Sequence, residues 1–238
     1  MYYGVDLALY GLFILAVIFS LYAQIRVNGA YRKYSQIPCG RGEGAAAVAR
    51  RMLDAGGLHY VRIERVPGNL TDHYDPRTNV LRLSDGVYNN SSAAAIGVAA
   101  HEAGHAMQYA ENYFPVKLRT ALVPVTNFAS RMSWIFIMLG VLITAFSAAV
   151  PFGYYILLFG VGLFGVTTVF QLVTLPCEFN ASGRAIRYLE GAGVYSDSDI
   201  SAAKKVLWAA AMTYVAALAV SAIQLLRLLL LVNNRRRR

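Results

Sequence analysis

Apolar residues fall along this chain in four long blocks, and between the blocks the pattern breaks into short mixed stretches. Residues 7–25 (LALYGLFILAVIFSLYAQI) carry no charge and are long enough to cross a hydrocarbon core. Their basic flank, Arg26, Arg32 and Lys33, follows the apolar run rather than preceding it, and no small-residue cleavage site is evident, so the block predicts a retained anchor rather than a secretory signal. Residues 133–150 and 154–175 form two further blocks separated only by Pro151, Phe152 and Gly153, a spacing that predicts a transmembrane hairpin. The fourth, within residues 204–232, is alanine-rich and then leucine-rich, and Arg227 interrupts it before NNRRRR. It predicts either a full crossing or a helix whose first turns complete the polar part of the chain, with a bend at the interface near Arg227 as an alternative course for its end.

The mixed stretches read as a folded polar segment. Residues 42–57 predict a short helix closed by Gly56 and Gly57. Val61, Ile63 and Val66 interleave with charged residues as in a strand, and residues 79–84 (NVLRLS) alternate as a second. The intervening GNLTDHYDPRT predicts a turn joining the two, with an edge of the 79–84 strand offered to an extended peptide as the sharper reading. Residues 91–115 predict a helix capped by Asn90, Ser91 or Ser92, with Pro115 beyond its end. Residues 177–191 predict a helix starting where the third apolar block stops, and VYSDSD caps another from about Ile200. The expected fold is therefore a membrane protein, mainly α, with three or four transmembrane helices and a small α+β domain. The expected division is a 1–25 anchor, a 26–132 polar segment, a 133–175 transmembrane hairpin, a 176–206 second polar segment, and a 207–238 apolar helix with a basic tail.

Composition supports the membrane assignment: 57% of residues are apolar, 15% charged, and mean hydropathy is +0.44. The net charge of +9 does not point to nucleic acid, because four arginines form the terminal run and others flank the apolar blocks. No phosphate loop or basic stripe interleaved with aromatics is present. Residues 26–132 and 176–206 carry 17 of the 22 Lys and Arg, so the positive-inside rule predicts a plasma (inner) membrane protein with its polar segments cytoplasmic. Cys39 and Cys177 have no metal-ligand spacing and read as free thiols.

Within the 91–115 stretch lies HEAGH. His101 and His105 are one helical turn apart on one face, and Glu102 points about 100° round from that face. Two imidazoles so placed can hold one Zn2+, with the carboxylate beside the metal's open position, which is the arrangement of metal-assisted peptide hydrolysis. A shuffled chain with four His and six Glu shows H-E-x-x-H with a probability of about one in a thousand. Ala99, Ala100, Ala103, Gly104 and Ala106 would let another helix approach closely. A third ligand must come from elsewhere, and the candidates are His59, His73, Glu111, Glu178 and the remaining acids. Glu111 lies six residues after His105, on a different face of a continuous helix. Glu178 follows an apolar run, where an unpaired charge is costly; a metal or interfacial water would relieve it. His73, Tyr74 and Arg184 are candidate oxyanion stabilisers.

GNLTDHYDPRTNVLRLSDGVY, VAAHEAGHAMQYAENYFP and LPCEFNASGRA together resemble the bacterial membrane zinc metallopeptidases of the YugP type, over nearly the whole chain. That family is similar in layout to the integral-membrane proteases of the HtpX and CAAX-prenyl-protease kind. The resemblance implies a zincin-like, gluzincin-type peptidase in which His101, His105 and Glu178 bind zinc and Glu102 is the general base; it says little about substrate, and membrane or membrane-proximal proteins are expected because Glu178 directly follows the third apolar block. Ser182 stands where the larger group has Asp, and Asn180 replaces a Glu, so the groups that orient the histidines are expected elsewhere, Asp72 or Asp75 among them. Two other classes stay open at this point: a catalytically silent zinc-binding scaffold or chaperone, and a metal transporter.

Overall fold

The computed structural model describes residues 2–40, 42–146 and 150–236. The elements run α1 (Tyr2–Tyr34), α2 (Ala45–Ala55), β1 (Arg62–Val66), β2 (His73–Asp75), β3 (Val80–Ser84), α3 (Ala93–Ala110), α4 (Phe114–Phe146), α5 (Val150–Gly191) and α6 (Asp197–Arg236). By packing, the chain divides into two units: one of Met1–Tyr22, Leu118–Thr174 and Tyr214–Arg238, the other of Ala23–Lys117 and Leu175–Thr213.

Apolar helices build the first unit. Among the described residues four stretches are long and apolar enough to cross a membrane: Leu7–Tyr34, Phe114–Phe146, Pro151–Gly191 and Asp197–Asn233. Many of their large side chains point outward, Leu15, Ile135, Phe159 and Leu172 among them, as suits helices solvated by lipid. Ile137, Leu157, Val161, Leu228 and Val232 form the interior. At Gly160 the α4 and α5 backbones come so close that a Cβ would lie 2.7 Å from the Ile137 nitrogen. Thr168 of α5 and Ser221 of α6 share a hydroxyl hydrogen bond of 2.7 Å.

Two expectations about these helices are corrected. Pro151, Phe152 and Gly153, expected to separate the two helices of the hairpin, lie inside α5, which is helical from Val150, and residues 147–149, between the end of α4 at Phe146 and Val150, lie outside the described residues. Pro151 instead occupies the first turn of α5, where its missing N–H costs nothing. Helices that looked separate are also continuous. α4 runs from Phe114 through Pro124, α5 through Pro176 into the segment that holds Glu178, and α6 through Arg227 without the bend considered for it. A proline deletes one backbone bond, and long flanking runs keep the helix intact on either side. The side chains of the tail, residues 235–238, lie outside the described residues.

The second unit has its own core, in which Val48, Ala49, Met52 and Leu53 of α2 join Ile96, Ala99, Ala100 and Ala103 of α3, Ala185 and Leu189 of α5, and Ala203 and Leu207 of α6. Its sheet has the order β1-β3-β2. β1 pairs parallel with β3, Arg62 opposite Val80 through Val66 opposite Ser84, and β2 pairs antiparallel, Tyr74 opposite Leu81. The 61–66 and 79–84 strands are therefore not joined by a turn as a hairpin. Their connection contains β2, whose three residues are too short and too polar to show an alternation. β3 is central, with Val80, Leu81, Leu83 and Ser84 buried, so both its edges are engaged rather than offered to a peptide, and the outer edges of β1 and β2 have no strand partner among the described residues.

Local chemistry sets the ends of α3. The Ser92 hydroxyl accepts from the Ala95 N–H at 3.2 Å, choosing among the three proposed caps. At the other end Asn112 takes φ +57°, and its N–H and that of Tyr113 donate to the Tyr109 and Gln108 carbonyls, a Schellman closure with Asn in the left-handed position. Ser92→Ala should destabilise the unit by about 1 kcal/mol without changing the site, read as a lower melting temperature of the detergent-solubilised protein at unchanged zinc content.

Candidate metal centre

α3 holds His101 and His105 one turn apart, with ring centroids 4.7 Å from each other and the planes nearly perpendicular. α5 supplies Glu178. Its Oε2 lies 3.3 Å from His101 Nε2 and 3.6 Å from His105 Nε2. All three donor atoms fall within 4.8 Å of one another. Two donors bound tetrahedrally to one zinc at its usual bond lengths stand about 3.4 Å apart, so the spacing and the donor types fit Zn2+. Glu178 is 3% exposed and His105 9%, so these groups face each other largely out of water.

Helix contact produces this convergence. A Cβ on Gly104 would sit 2.7 Å from the Ala181 carbonyl oxygen, so α3 and α5 touch backbone to backbone at a point between Glu178 and Ser182. The small residues of HEAGH serve this approach. A side chain at 104 would move Glu178 away from the histidines.

Each imidazole turns its Nε2 toward Glu178 because its Nδ1 is held from behind. His101 Nδ1 lies 3.0 Å from Ser182 Oγ, and His105 Nδ1–H donates to Gln108 Oε1 at 2.9 Å. Gln108 is itself fixed: its Nε2 donates to the Cys177 carbonyl at 2.8 Å and to Asn180 Oδ1 at 3.0 Å. Asn180 Oδ1 also accepts from Arg184 Nε at 2.7 Å, and the Arg184 fork grips both Glu111 oxygens at 2.6 and 2.7 Å. That pairing holds the Glu111 carboxyl below the usual carboxylate range. Burial opposes a charged His105, but the Glu178 carboxylate beside it and the charge of Glu102 outweigh burial and raise its pKa. A bound cation takes the place of that proton.

The other candidate residues have contacts of their own. Asp72 and Asp75 do not orient the histidines. Asp72 accepts from the Ser84 N–H and hydroxyl at 2.7 and 3.0 Å. Asp75 accepts from Thr78, the Arg77 N–H and Arg82, which bring its carboxyl down to about 2. Arg184 is committed to Glu111 and Asn180 and is not a free oxyanion donor. His59 is exposed and bonded to Asp54 at 2.9 Å. His73 is exposed on β2, its Nδ1–H donating to the Thr71 carbonyl at 2.8 Å. The adjacent Tyr74 packs its ring against Tyr109 of α3, 5.7 Å between centroids, and donates to Asn79 Oδ1 at 3.0 Å; burial pushes its hydroxyl up to about 12. The carboxylate of Glu102 is partly exposed and makes no side-chain hydrogen bond or ion pair among the described residues. Gln108 was missed as a histidine partner although it lies three residues after His105, where helical neighbours meet.

Gly104→Ala should lower zinc affinity about tenfold or more, because added bulk at a packed contact forces the helices apart. Gln108→Ala should cost about 10- to 100-fold by freeing the His105 ring. Competition with a fluorescent chelator measures both, and unchanged affinity in either variant contradicts the corresponding contact.

The profile of the family described as "Putative neutral zinc metallopeptidase" matches residues 9–233. A protein of Bacillus subtilis (strain 168) described as "Putative membrane protease YugP" is 42% identical over 217 residues, covering 91% of this chain and 93% of that one. No solved structure matches. With a match of this extent and two histidines and a glutamate converging as zinc requires, the chain belongs to the neutral zinc metallopeptidase family.

Proposed function

We propose that the protein is a membrane-embedded zinc endopeptidase of gluzincin type, with a zincin-like arrangement in which His101, His105 and Glu178 hold the metal and Glu102 is the general base. The observation that carries this reading is the pairing of a converged ligand set with an adjacent carboxylate that makes no hydrogen bond or ion pair among the described residues. When bound, zinc supplies Lewis acidity toward the scissile carbonyl and toward water. Glu102 takes the proton from the attacking water and returns it to the leaving amine. Ser182 and Gln108 keep both Nε2 atoms turned to the metal, and the Arg184–Glu111 clamp holds Gln108 and Asn180 in place. The open edge of β2 is the backbone against which an extended peptide would lie, and Tyr74, on the α3 side of that strand, is a better placed oxyanion stabiliser than His73. A catalytically silent zinc scaffold is less well supported, since it has no use for a free Glu102.

The substrates proposed are membrane or membrane-proximal proteins, because Glu178 comes only three residues after the apolar block that ends at Leu175. The plasma membrane with a cytoplasmic centre follows from the 17 Lys and Arg in the polar segments. The arginine tail opposes that orientation if α6 crosses once, and the arginines flanking the other blocks outweigh it.

Glu102→Gln should keep about one zinc per chain and lose peptidase activity by at least about 100-fold, as expected for a general base. Glu178→Ala should lose the zinc as well. Metal analysis with cleavage assays in detergent separates the two, and full activity in Glu102→Gln refutes the mechanism. A cysteine introduced at Asn89 should resist an impermeant thiol reagent in intact cells and react in inverted vesicles; the opposite pattern places the centre outside.

A further inference from the structure

Arg227 is an arginine inside the last apolar block that the peptidase chemistry does not use. Its guanidinium lies over the Tyr10 ring at 3.9 Å and the Phe13 ring at 4.7 Å. One N–H donates to Gln224 Oε1 at 2.9 Å. Among the described residues no carboxylate pairs with it, and the rest of its five N–H donors have no acceptor. The ring faces offset part of the cost of a cation in this setting without neutralising it.

Its depth is informative. Tyr10 and Phe13 lie in the first two turns after Leu7, where the Leu7–Tyr34 stretch begins, and Arg227 is six residues, about 9 Å, from Asn233 at the end of the last stretch. The charge therefore stands near the end of two apolar helices, at the level where lipid headgroups meet hydrocarbon. Beside it opens a cavity of about 590 Å3, lined by Phe13 and Ser20 of α1, Trp134 and Phe164 of α4 and α5, and α6 from Ala217 to Arg227. Ten residues of α6 give that groove a length of about 15 Å, with Arg227 at one end and almost wholly apolar walls beyond.

We propose that this groove is a binding site for an anionic phospholipid, with the phosphate on the free guanidinium edge of Arg227 and an acyl chain along the groove. Charge complementarity selects the occupant: a cation with no carboxylate partner among the described residues, at one end of an apolar trough, matches an amphiphile with a negative head and a hydrocarbon tail. The site lies in the apolar unit and does not depend on the zinc chemistry.

Trp134 lines the groove and serves as reporter. The full chain with Trp208→Phe, which leaves Trp134 as the single tryptophan, is reconstituted in phosphatidylcholine vesicles containing brominated-acyl phosphatidylglycerol or brominated-acyl phosphatidylcholine at equal mole fraction. Quenching should show a relative association about fivefold higher for the phosphatidylglycerol, the preference expected of one basic side chain near the membrane surface. Arg227→Gln should abolish that preference. Equal quenching by the two lipids in the Arg227 protein overturns the proposal, whether or not the variant folds, and so does a preference that Arg227→Gln leaves unchanged. Reversal by soluble glycerol phosphate would instead assign the site to small phosphate compounds. Displacement of both lipids alike by an acidic transmembrane peptide would assign it to a protein segment.

Discussion

Taking a carboxylate out of water costs several kcal/mol unless other groups replace the lost hydration. Glu178 is almost fully buried, and its Oε2 faces the two imidazoles of α3. The polar unit is built to make that encounter possible. Alanines and glycines along α3 let α5 approach to backbone contact at Gly104, and the α2 and α6 side chains close around the other faces of α3. Without the contact at Gly104, the buried carboxylate would lose both imidazoles, and the histidines would be two ordinary polar residues on a helix.

From the contact outward, the order of the site is carried by a chain of hydrogen bonds that starts between neutral groups and ends in a charged pair. Gln108 fixes His105, Asn180 fixes Gln108, and Arg184 fixes Asn180 while anchored to Glu111. The chain of bonds runs from a buried ligand to a partly exposed ion pair and ties α3 to α5 at a second level. Arg184 earlier suggested a role in catalysis by its charge. Its bidentate grip on Glu111 makes it structural, and it is the rigid planar fork that allows one residue to hold two partners.

Much of this was legible in the sequence, and what was not has physical causes. The apolar blocks, the HEAGH helix with its serine cap, and Glu178 as third ligand candidate follow from periodicity, spacing and the cost of an isolated charge. β2 was hidden because three residues, His-Tyr-Asp, cannot show an alternation, and its pairing depends on β3 rather than on its own propensity. The parallel pairing of β1 with β3 was missed for the same reason, since without β2 a hairpin is the simplest connection. Pro124 and Pro176 lie inside long helices whose remaining bonds carry through, so the apolar block 154–175 and the segment 177–191, which read as two elements, form one helix. The histidine partners were sought among acids by analogy, while the chain uses an amide and a hydroxyl.

That last choice alters the charge of the centre. The backing of both imidazoles by Gln108 and Ser182 adds no negative charge, so Glu178 is the one anion contributed by the ligand set. A divalent cation held there keeps a single net positive charge before Glu102 is counted, whereas an acid behind either ring would cancel it. A Glu102 that held a proton, as in the proposed mechanism, would leave the surroundings of a bound metal cationic and largely shielded from water. Such a field favours the negative oxygen that develops as a carbonyl is attacked, and it makes the centre a natural trap for small carboxylates and other anions.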